Sequence, residues 1–317
     1  MKDERSLHLM TQGIITLLLI LLFCSNGNGQ DDVVKSVQLG EVVISAQTAG
    51  FSVDEFIANV RTDTTFYKAF LNLKYFPHKM KGEVTVFNKK DKEKGQMFRT
   101  GELLNDKDVV TVNILEERTN GKIKDKKGNF KYLTAEMYDE VFFPKGSERV
   151  SNKIHSTEQQ IDKSSKFDRH KSELKKFMFN PGAEISSVPL IGDKLAIFED
   201  DMVPYYDYFI WTATYADSIP CWVFTAKQKE DVKDGKTVIK DLTSWFDQET
   251  MNVMMREYTI RYNSIIMDFD ITIKVTNTYV DGQLVPTRIN YDGMWDIPFK
   301  KAEVINFWLD LREWEVW

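Results

Sequence analysis

A strict alternation of apolar and polar residues runs from Met267 to Thr276 and is the clearest pattern in the sequence. Its apolar positions are Met267, Phe269, Ile271, Ile273 and Val275. A period of two places successive side chains on opposite faces of a β-strand, so this stretch predicts a strand with one buried and one solvated face. Asp268 and Asp270 fall on the solvated face.

Similar alternations or short apolar runs, separated by turn residues, continue along most of the chain. They predict strands at 37–46, 84–86, 109–115, 194–198, 205–215, 221–227, 238–239, 254–262, 284–291 and 305–311. Tight turns are expected at Asn120-Gly121, Lys127-Gly128, Asp234-Gly235 and Asp281-Gly282. Pro286 has no N–H to donate to a sheet, so its strand should start there or lie at an edge.

Three helices interrupt this pattern, and they are expected at 52–60, 63–76 and 134–142. The second would place Phe66, Phe70 and Leu73 on one face, and Pro77 would end it. Thr134 is the expected N-cap of the third helix.

Strands that follow one another through short turns, with few helices, predict a mainly β fold. We expect a curved antiparallel sheet or half-barrel with a few covering helices. Residues 30–146 would hold the N-terminal helices and the first strands. Residues 147–180 form a polar segment, either helical or a mobile surface excursion, and residues 181–317 would complete the same domain as a β-meander.

The N-terminus predicts export. An apolar run from Ile14 to Cys24 is too short to span a bilayer comfortably, and small residues follow it up to Gly29. We interpret residues 1–29 as a signal peptide, with an uncleaved anchor as the alternative. Lipid attachment at Cys24 is disfavoured because Leu22 and Phe23 precede it, where a small residue is needed. Without Cys24 a single cysteine, Cys221, remains, which excludes an internal disulfide.

Composition and charge limit the classes of binding partner that the sequence predicts. The chain has 317 residues, 42% hydrophobic and 28% charged, with a formal net charge of −6. Lysine and arginine predominate in 74–132, whereas aspartate and glutamate predominate in 178–317. Such faces could bind another envelope protein. The lysines alternate with turn residues rather than aromatic residues, so nucleic acid is not an expected partner.

The sequence contains no motif that predicts catalysis, a cofactor or a metal. Its histidines lack metal-ligand spacing, and phosphate-binding and nucleophile motifs are missing. Asp268 and Asp270 share a strand face about 7 Å apart, which would suit a carboxylate-based hydrolase or a calcium site. We favour a solvated strand face, because a catalytic carboxylate needs an apolar pocket to perturb its pKa. Glu199-Asp200-Asp201 is interpreted as a solvated turn.

Aromatic residues are concentrated on the predicted strands of the C-terminal half. On a curled sheet they would form the wall of an apolar cavity for a lipid or acyl chain, with an arginine among the rings. The candidate cavity residues are Tyr206, Tyr208, Trp211, Trp222, Phe224, Arg256, Tyr258, Tyr262, Phe269 and Ile271. The alternative is that these rings fill a solid core between sheet and helices.

Two regions resemble known envelope proteins. The stretch Leu39–Ala46 followed by Tyr67–Tyr75 resembles the segment after the carboxypeptidase-regulatory-like domain of Gram-negative envelope proteins. Residues 192–309 resemble the β-domain downstream of it, through the motifs Tyr205-Tyr206-Asp207-Tyr208, Cys221-Trp222-Val223-Phe224, Trp245-Phe246-Asp247 and Leu284-Val285-Pro286-Thr287. The pattern is also similar to LolA-like, lipoprotein-sorting carriers.

This resemblance implies a half-barrel that holds acyl chains and supplies no catalytic residues. We therefore expect a non-enzymatic, periplasmic or secreted protein, peripheral to the membrane rather than spanning it. Its partner would be a lipid or a lipidated protein, or alternatively another envelope protein that binds a solid, ligand-free structure.

Overall fold

The computed structural model describes residues 42–44, 53–154, 193–264, 268–296 and 302–316. Its helices are α1 (Val53–Arg61), α2 (Thr65–Tyr75) and α3 (Leu133–Phe142). Its strands are β1 (Val42–Ile44), β2 (His78–Phe87), β3 (Glu93–Asp106), β4 (Val109–Gly121), β5 (Ser147–Arg149), β6 (Tyr206–Tyr215), β7 (Ile219–Gln228), β8 (Ile239–Asp247), β9 (Val253–Asn263), β10 (Asp268–Val280), β11 (Gln283–Asp296) and β12 (Glu303–Arg312). The signal peptide 1–29 and most of segment 147–180 lie outside the described residues.

The described strands form one open sheet of twelve strands, in the order β1-β6-β7-β8-β9-β10-β11-β12-β2-β3-β4-β5. Strand β1 runs parallel to β6, and every other neighbouring pair is antiparallel. The predicted mainly β, antiparallel fold with covering helices is confirmed. The last strand, β12, pairs with β2, so strands from both halves of the chain belong to one sheet.

One row of paired side chains extends the apolar core across the sheet. Paired positions from β6 to β3 are Tyr208, Ala226, Leu242, Tyr258, Ile273, Tyr291, Phe307, Val84 and Met97. All are buried and belong to one apolar cluster. Because side chains alternate along each strand, the neighbouring positions face the other side of the sheet. We call the side with this row the inner face and the opposite side the outer face.

The helices lie on the inner face. On α1, the Phe56 ring is 5.6 Å from that of Phe246 and 6.5 Å from that of Phe224. On α3, the Tyr138 ring is 5.1 Å from that of Phe307. The predicted inward face of α2 is confirmed, since Phe66, Phe70 and Leu73 are all buried.

The N-terminus of α3 is capped from a distant strand. Thr134 was expected to be the N-cap, but Tyr132 occupies that position without a capping side chain. The buried Glu303 carboxylate on β12 accepts hydrogen bonds from the N–H groups of Leu133 and Thr134, at 2.5 and 3.0 Å, and from the Thr134 hydroxyl. The carboxylate thus satisfies unpaired helical donors and opposes the positive end of the helix dipole.

Two further local predictions were wrong. Residues 193–195 form a 3-10 turn rather than a strand, although Leu195–Phe198 are buried as an apolar run predicts. Asn120-Gly121 makes no hairpin, because β4 continues to Gly121 in register with Gly95 on β3. The hairpin turn lies further on, at Lys127-Gly128, where it was also expected.

Pro286 does not begin its strand, which starts at Gln283 and lies between β10 and β12. The proline is tolerated because β11 has a single neighbour at that point. Pairing of β11 with β12 begins only at Arg288, and a bulge at Thr276/Asn277 interrupts the β10 register opposite Pro286. The missing N–H therefore leaves no inter-strand bond broken.

Replacing Glu303 by Gln should loosen α3 and lower the free energy of unfolding. The carboxylate makes charge-assisted bonds to helical donors, whose loss in a buried position costs about 1–3 kcal/mol. Urea unfolding would measure the change. The matched substitution Glu313→Gln removes an exposed carboxylate paired with Lys79 and should change stability much less. Equal effects of the two substitutions would contradict the capping role.

His78 is buried at the start of β2 and is neutral in the folded protein. Its ring stacks on Trp314 at 4.1 Å, and its Nδ1 lies 2.7 Å from the carbonyl oxygen of Phe76. Burial lowers the pKa of His78 to about 4 from an ordinary 6.5. Between these two values the unfolded chain binds a proton that the folded protein does not.

Stability should therefore fall as the pH is lowered from 6.5 towards 4, by about 3 kcal/mol in total from this residue. His78→Asn keeps a donor for the Phe76 carbonyl but cannot titrate. Urea unfolding at neutral pH and near pH 4.5 should show a smaller acid loss in His78→Asn than in the wild type. The same acid loss in both proteins would exclude His78 as its source.

Candidate functional site

Nine of the ten candidate cavity residues share the inner face. They are Tyr206, Tyr208, Trp222, Phe224, Arg256, Tyr258, Tyr262, Phe269 and Ile271. Eight of these are buried, and Trp222 is half-buried against the same apolar cluster. Trp211 is the exception, because it pairs with Val223 on the outer face of β6 and β7.

The centre of this group is a set of rings that contact one another. Tyr208 stacks on Phe224 at 6.0 Å, and Phe198 lies 5.8 Å from Phe224. The Tyr208 hydroxyl donates to the carbonyl oxygen of Ile197 at 2.6 Å, which holds the 195–198 segment over the sheet. Burial raises the pKa of Tyr208, so the hydroxyl keeps its proton and acts as a donor.

The helices and the 195–198 segment occupy the space above these rings. No candidate cavity residue lines the two clefts described below, of about 560 and 490 Å³. Eight of the nine candidates on the inner face are buried, and Phe56 of α1 contacts the rings of Trp222 and Phe224.

Arg256 is a charged residue within this apolar face. It is 4% exposed, donates from Nε to Ser244 Oγ at 2.8 Å, and its guanidinium lies 4.5 Å from the centre of the Phe66 ring. Its Nη2 donates to Asp63 Oδ2 at 3.1 Å, in the turn between α1 and α2. Burial lowers the pKa of Arg256, and the Asp63 carboxylate opposes that shift.

Asp63 also organises the start of α2. Its Oδ1 accepts from the N–H and the hydroxyl of Thr65, at 2.8 and 2.7 Å. The Thr65 hydroxyl in turn accepts from the N–H of Val253 on β9 at 3.0 Å. One carboxylate thus joins the α1–α2 turn, the first turn of α2 and the buried arginine of the sheet.

A second buried arginine, Arg99, lies on the same lateral row as Arg256, five strands away. The positions between them are Val275, Ile289, Leu309 and Gly82. Arg99 pairs with Glu117 of β4 at 2.6 Å and with Asp139 of α3, and it lies 5.2 Å from the centre of the Phe143 ring. These residues border a cleft of about 560 Å³ between α3 and the end of β4.

The residues considered for chemistry have ordinary structural roles. Asp270 pairs with Arg261 at 2.7 Å on the outer face, and both side chains are partly exposed. Glu199 accepts from Arg61 at 2.8 Å. Cys221 is buried, and burial raises the pKa of its thiol to about 11, which favours the protonated thiol at neutral pH. No cluster of metal-ligating side chains occurs among the described residues.

The described helices include none with the length and hydrophobicity needed to cross a membrane. No protein-family model matches the chain. A comparison with curated proteins gives no match either.

The chain is similar to solved structures over most of its length. One is a DUF1329 family protein from Desulfovibrio piger, 10% identical, with 80% of this chain and 93% of that chain covered and a TM-score of 0.22. Another is a LolA superfamily protein from Nitrosomonas europaea, 12% identical, with 80% and 92% covered and a TM-score of 0.25. The LolA-like resemblance noted in the sequence thus recurs among solved structures, but at such identities neither ligand nor activity transfers to this chain.

Sequence reasoning missed Arg99 and its carboxylates, although a signal was present. Arg99 alternates with Met97, Gly101 and Leu103, so it falls on the apolar face of its strand as Arg256 does. The position of Trp211 on the outer face could also have been predicted, because Trp211 is an odd number of residues from Tyr206 and Tyr208 along the same strand. Asp63, by contrast, is far from Arg256 in the chain, and no local pattern links them.

Replacing Asp63 by Asn should destabilise the protein strongly, because it leaves Arg256 buried without a counter-charge. Breaking a buried pair in this way costs about 3–5 kcal/mol. The matched control is Asp310→Asn, which breaks an exposed 2.9 Å pair with Arg288 and should cost about 1 kcal/mol or less. Urea unfolding of the two variants compares them, and similar losses would refute a special role for the buried pair.

Proposed function

We propose that the protein is a non-enzymatic module of the cell envelope that binds an acyl chain of a lipid or lipidated protein on the inner face. The observation that carries this proposal is the continuous apolar row from β6 to β3, covered by short helices. An apolar face of this length, with few polar groups, matches a long flexible hydrocarbon. The export signal predicted for residues 1–29 agrees with this proposal.

Access to the inner face requires a covering element to move, and α1 is the best candidate. It has nine residues and contributes three apolar side chains to the core, namely Phe56, Ile57 and Val60. Its end is held by the Arg61–Glu199 pair, whose side chains are 28% and 53% exposed and which therefore contributes little. Displacing α1 would uncover Trp222, Phe224 and Phe246.

The energetics permit this exchange. Each buried apolar side chain of α1 contributes about 1.5–3 kcal/mol, and each buried CH₂ of an acyl chain contributes about 0.8 kcal/mol. A long acyl chain therefore gains at least as much as three such side chains lose. The inner face would release α1 only when a hydrocarbon replaces it, as a carrier requires.

A second function is favoured by the burial of the candidate residues on the inner face. A protein whose core is solid would act as an interaction partner in the envelope, through its basic and acidic surfaces. It would bind no lipid, and its binding to another envelope protein would weaken with salt.

Uptake of a fluorescent fatty acid, together with mass spectrometry of lipids after detergent-free purification, distinguishes the two functions. We expect the wild type to bind the probe. Phe56→Ala removes the main contact of α1, so it should take up the probe faster, while losing about 3–5 kcal/mol of stability.

Phe142→Ala is the matched control, because Phe142 is buried to the same 3% exposure as Phe56 but lies on α3. It should lose similar stability while keeping the uptake rate of the wild type. Absence of bound lipid and of uptake in all three proteins would reject the carrier function in favour of the interaction protein. Equal acceleration by both variants would show that general loosening, not release of α1, controls entry.

A further inference from the structure

The outer face carries a trough of about 490 Å³, on the opposite side of the sheet from the proposed lipid site. Its floor is a row of short polar side chains at paired positions of five strands. From β9 to β2 these are Thr259, Thr272, Asp292, Asn306 and Thr85. Five short side chains in lateral register leave a depression between the rows on either side.

Side chains of the rows on either side form the two walls. One wall is the row Glu257, Lys274, Asn290, Trp308 and Glu83. The other wall is Phe87, which lies four residues further along β2 than Glu83, roughly 13 Å at the rise of a β-strand. Each wall thus carries an aromatic ring.

Trp308 and Phe87 lie outside the apolar clusters formed by the described residues. Each of the two side chains is half-buried. Both rings line the trough and can therefore contact a ligand bound in it.

Two cations lie close to the ring of Trp308. Arg288 and Lys81 lie 5.3 and 5.9 Å from its centre. Both are paired neighbours of Asp310, so they approach Trp308 from the side away from the trough. Trp308 also lines the trough, so part of its ring can stack on a ligand there.

The polar groups of the trough define the ligand chemistry. Glu83 and Asp292 supply acceptors, and Lys274 is already paired with Glu257 at 2.9 Å, so the trough does not suit an anion. Asn306, in the amide orientation that satisfies its neighbours, places its nitrogen 3.2 Å from Asp292 Oδ1. Amides and hydroxyls that both donate and accept, next to carboxylates and an aromatic platform, match a polyol better than a simple cation.

We propose that this trough binds a neutral oligosaccharide. One sugar ring lies with its C–H face on Trp308, and its hydroxyl groups bond to Asp292, Asn306 and Glu83. Phe87 contacts the neighbouring sugar from the opposite wall. The site is independent of the acyl-chain site, because the two lie on opposite faces of the sheet.

A glycan array of neutral glucose, mannose, galactose and N-acetylglucosamine oligomers tests the proposal, followed by calorimetric titration of the best ligand. Trp308→Ala should weaken its binding about tenfold or more, and Trp308→Phe should restore most of it. Thr85→Tyr fills the floor while leaving Trp308 in place, and it should also abolish binding. Trp211→Ala is the matched control, since Trp211 lies on the outer face away from the trough.

The proposal is overturned if no oligomer binds the wild type, or if an amine such as spermidine binds while all saccharides fail. It is also overturned if Trp308→Ala and Thr85→Tyr both bind as the wild type does, or if Trp211→Ala weakens binding equally. Uptake of the fluorescent fatty acid should be unchanged in Thr85→Tyr, so failure of one site is distinguishable from failure of the other.

Discussion

Two buried arginines on one lateral row of the sheet hold the covering elements in place. Arg256 pairs with Asp63 in the α1–α2 turn, and Arg99 pairs with Asp139 of α3. Each guanidinium is nearly excluded from water, and a buried charge is costly unless it is paired, so each requires a carboxylate at a defined position. The two ion pairs thus hold the α1–α2 turn and α3 at defined positions on the sheet.

The helices differ in how firmly they are attached. α3 has the Arg99–Asp139 pair, the Glu303 cap and a close fit at Gly82, where a side chain would lie 2.8 Å from the carbonyl oxygen of Trp308 and collide with Tyr138. α2 is joined to the sheet through Asp63 and Thr65. α1 contributes three apolar side chains to the core, and its Arg61 pairs with Glu199 in a partly exposed position. Hydrocarbon can replace apolar contacts but cannot replace buried ion pairs, which is why we propose α1 as the element that an acyl chain displaces.

The two faces of the sheet offer different chemistry because of side-chain alternation. The inner face presents a continuous apolar row to its helices. The outer face presents a trough lined by polar side chains together with Trp308 and Phe87. The proposed acyl-chain site and the proposed oligosaccharide site therefore lie on opposite faces of one sheet.

The sequence by itself determined most of the strands, although not β3 or β5, together with the position of α2 and which residues of these elements face inward, because these depend on periods of two and 3.6 within one segment. Nine of the ten candidate residues lie on the inner face for that reason. Only the tertiary structure decided that β12 lies beside β2, that Glu303 caps α3 and that Asp63 meets Arg256. It also decided the trough, whose floor joins residues from Thr85 to Asn306. These features depend on which distant strands pair and in what register, and that choice is made by packing of the whole sheet rather than by any local pattern.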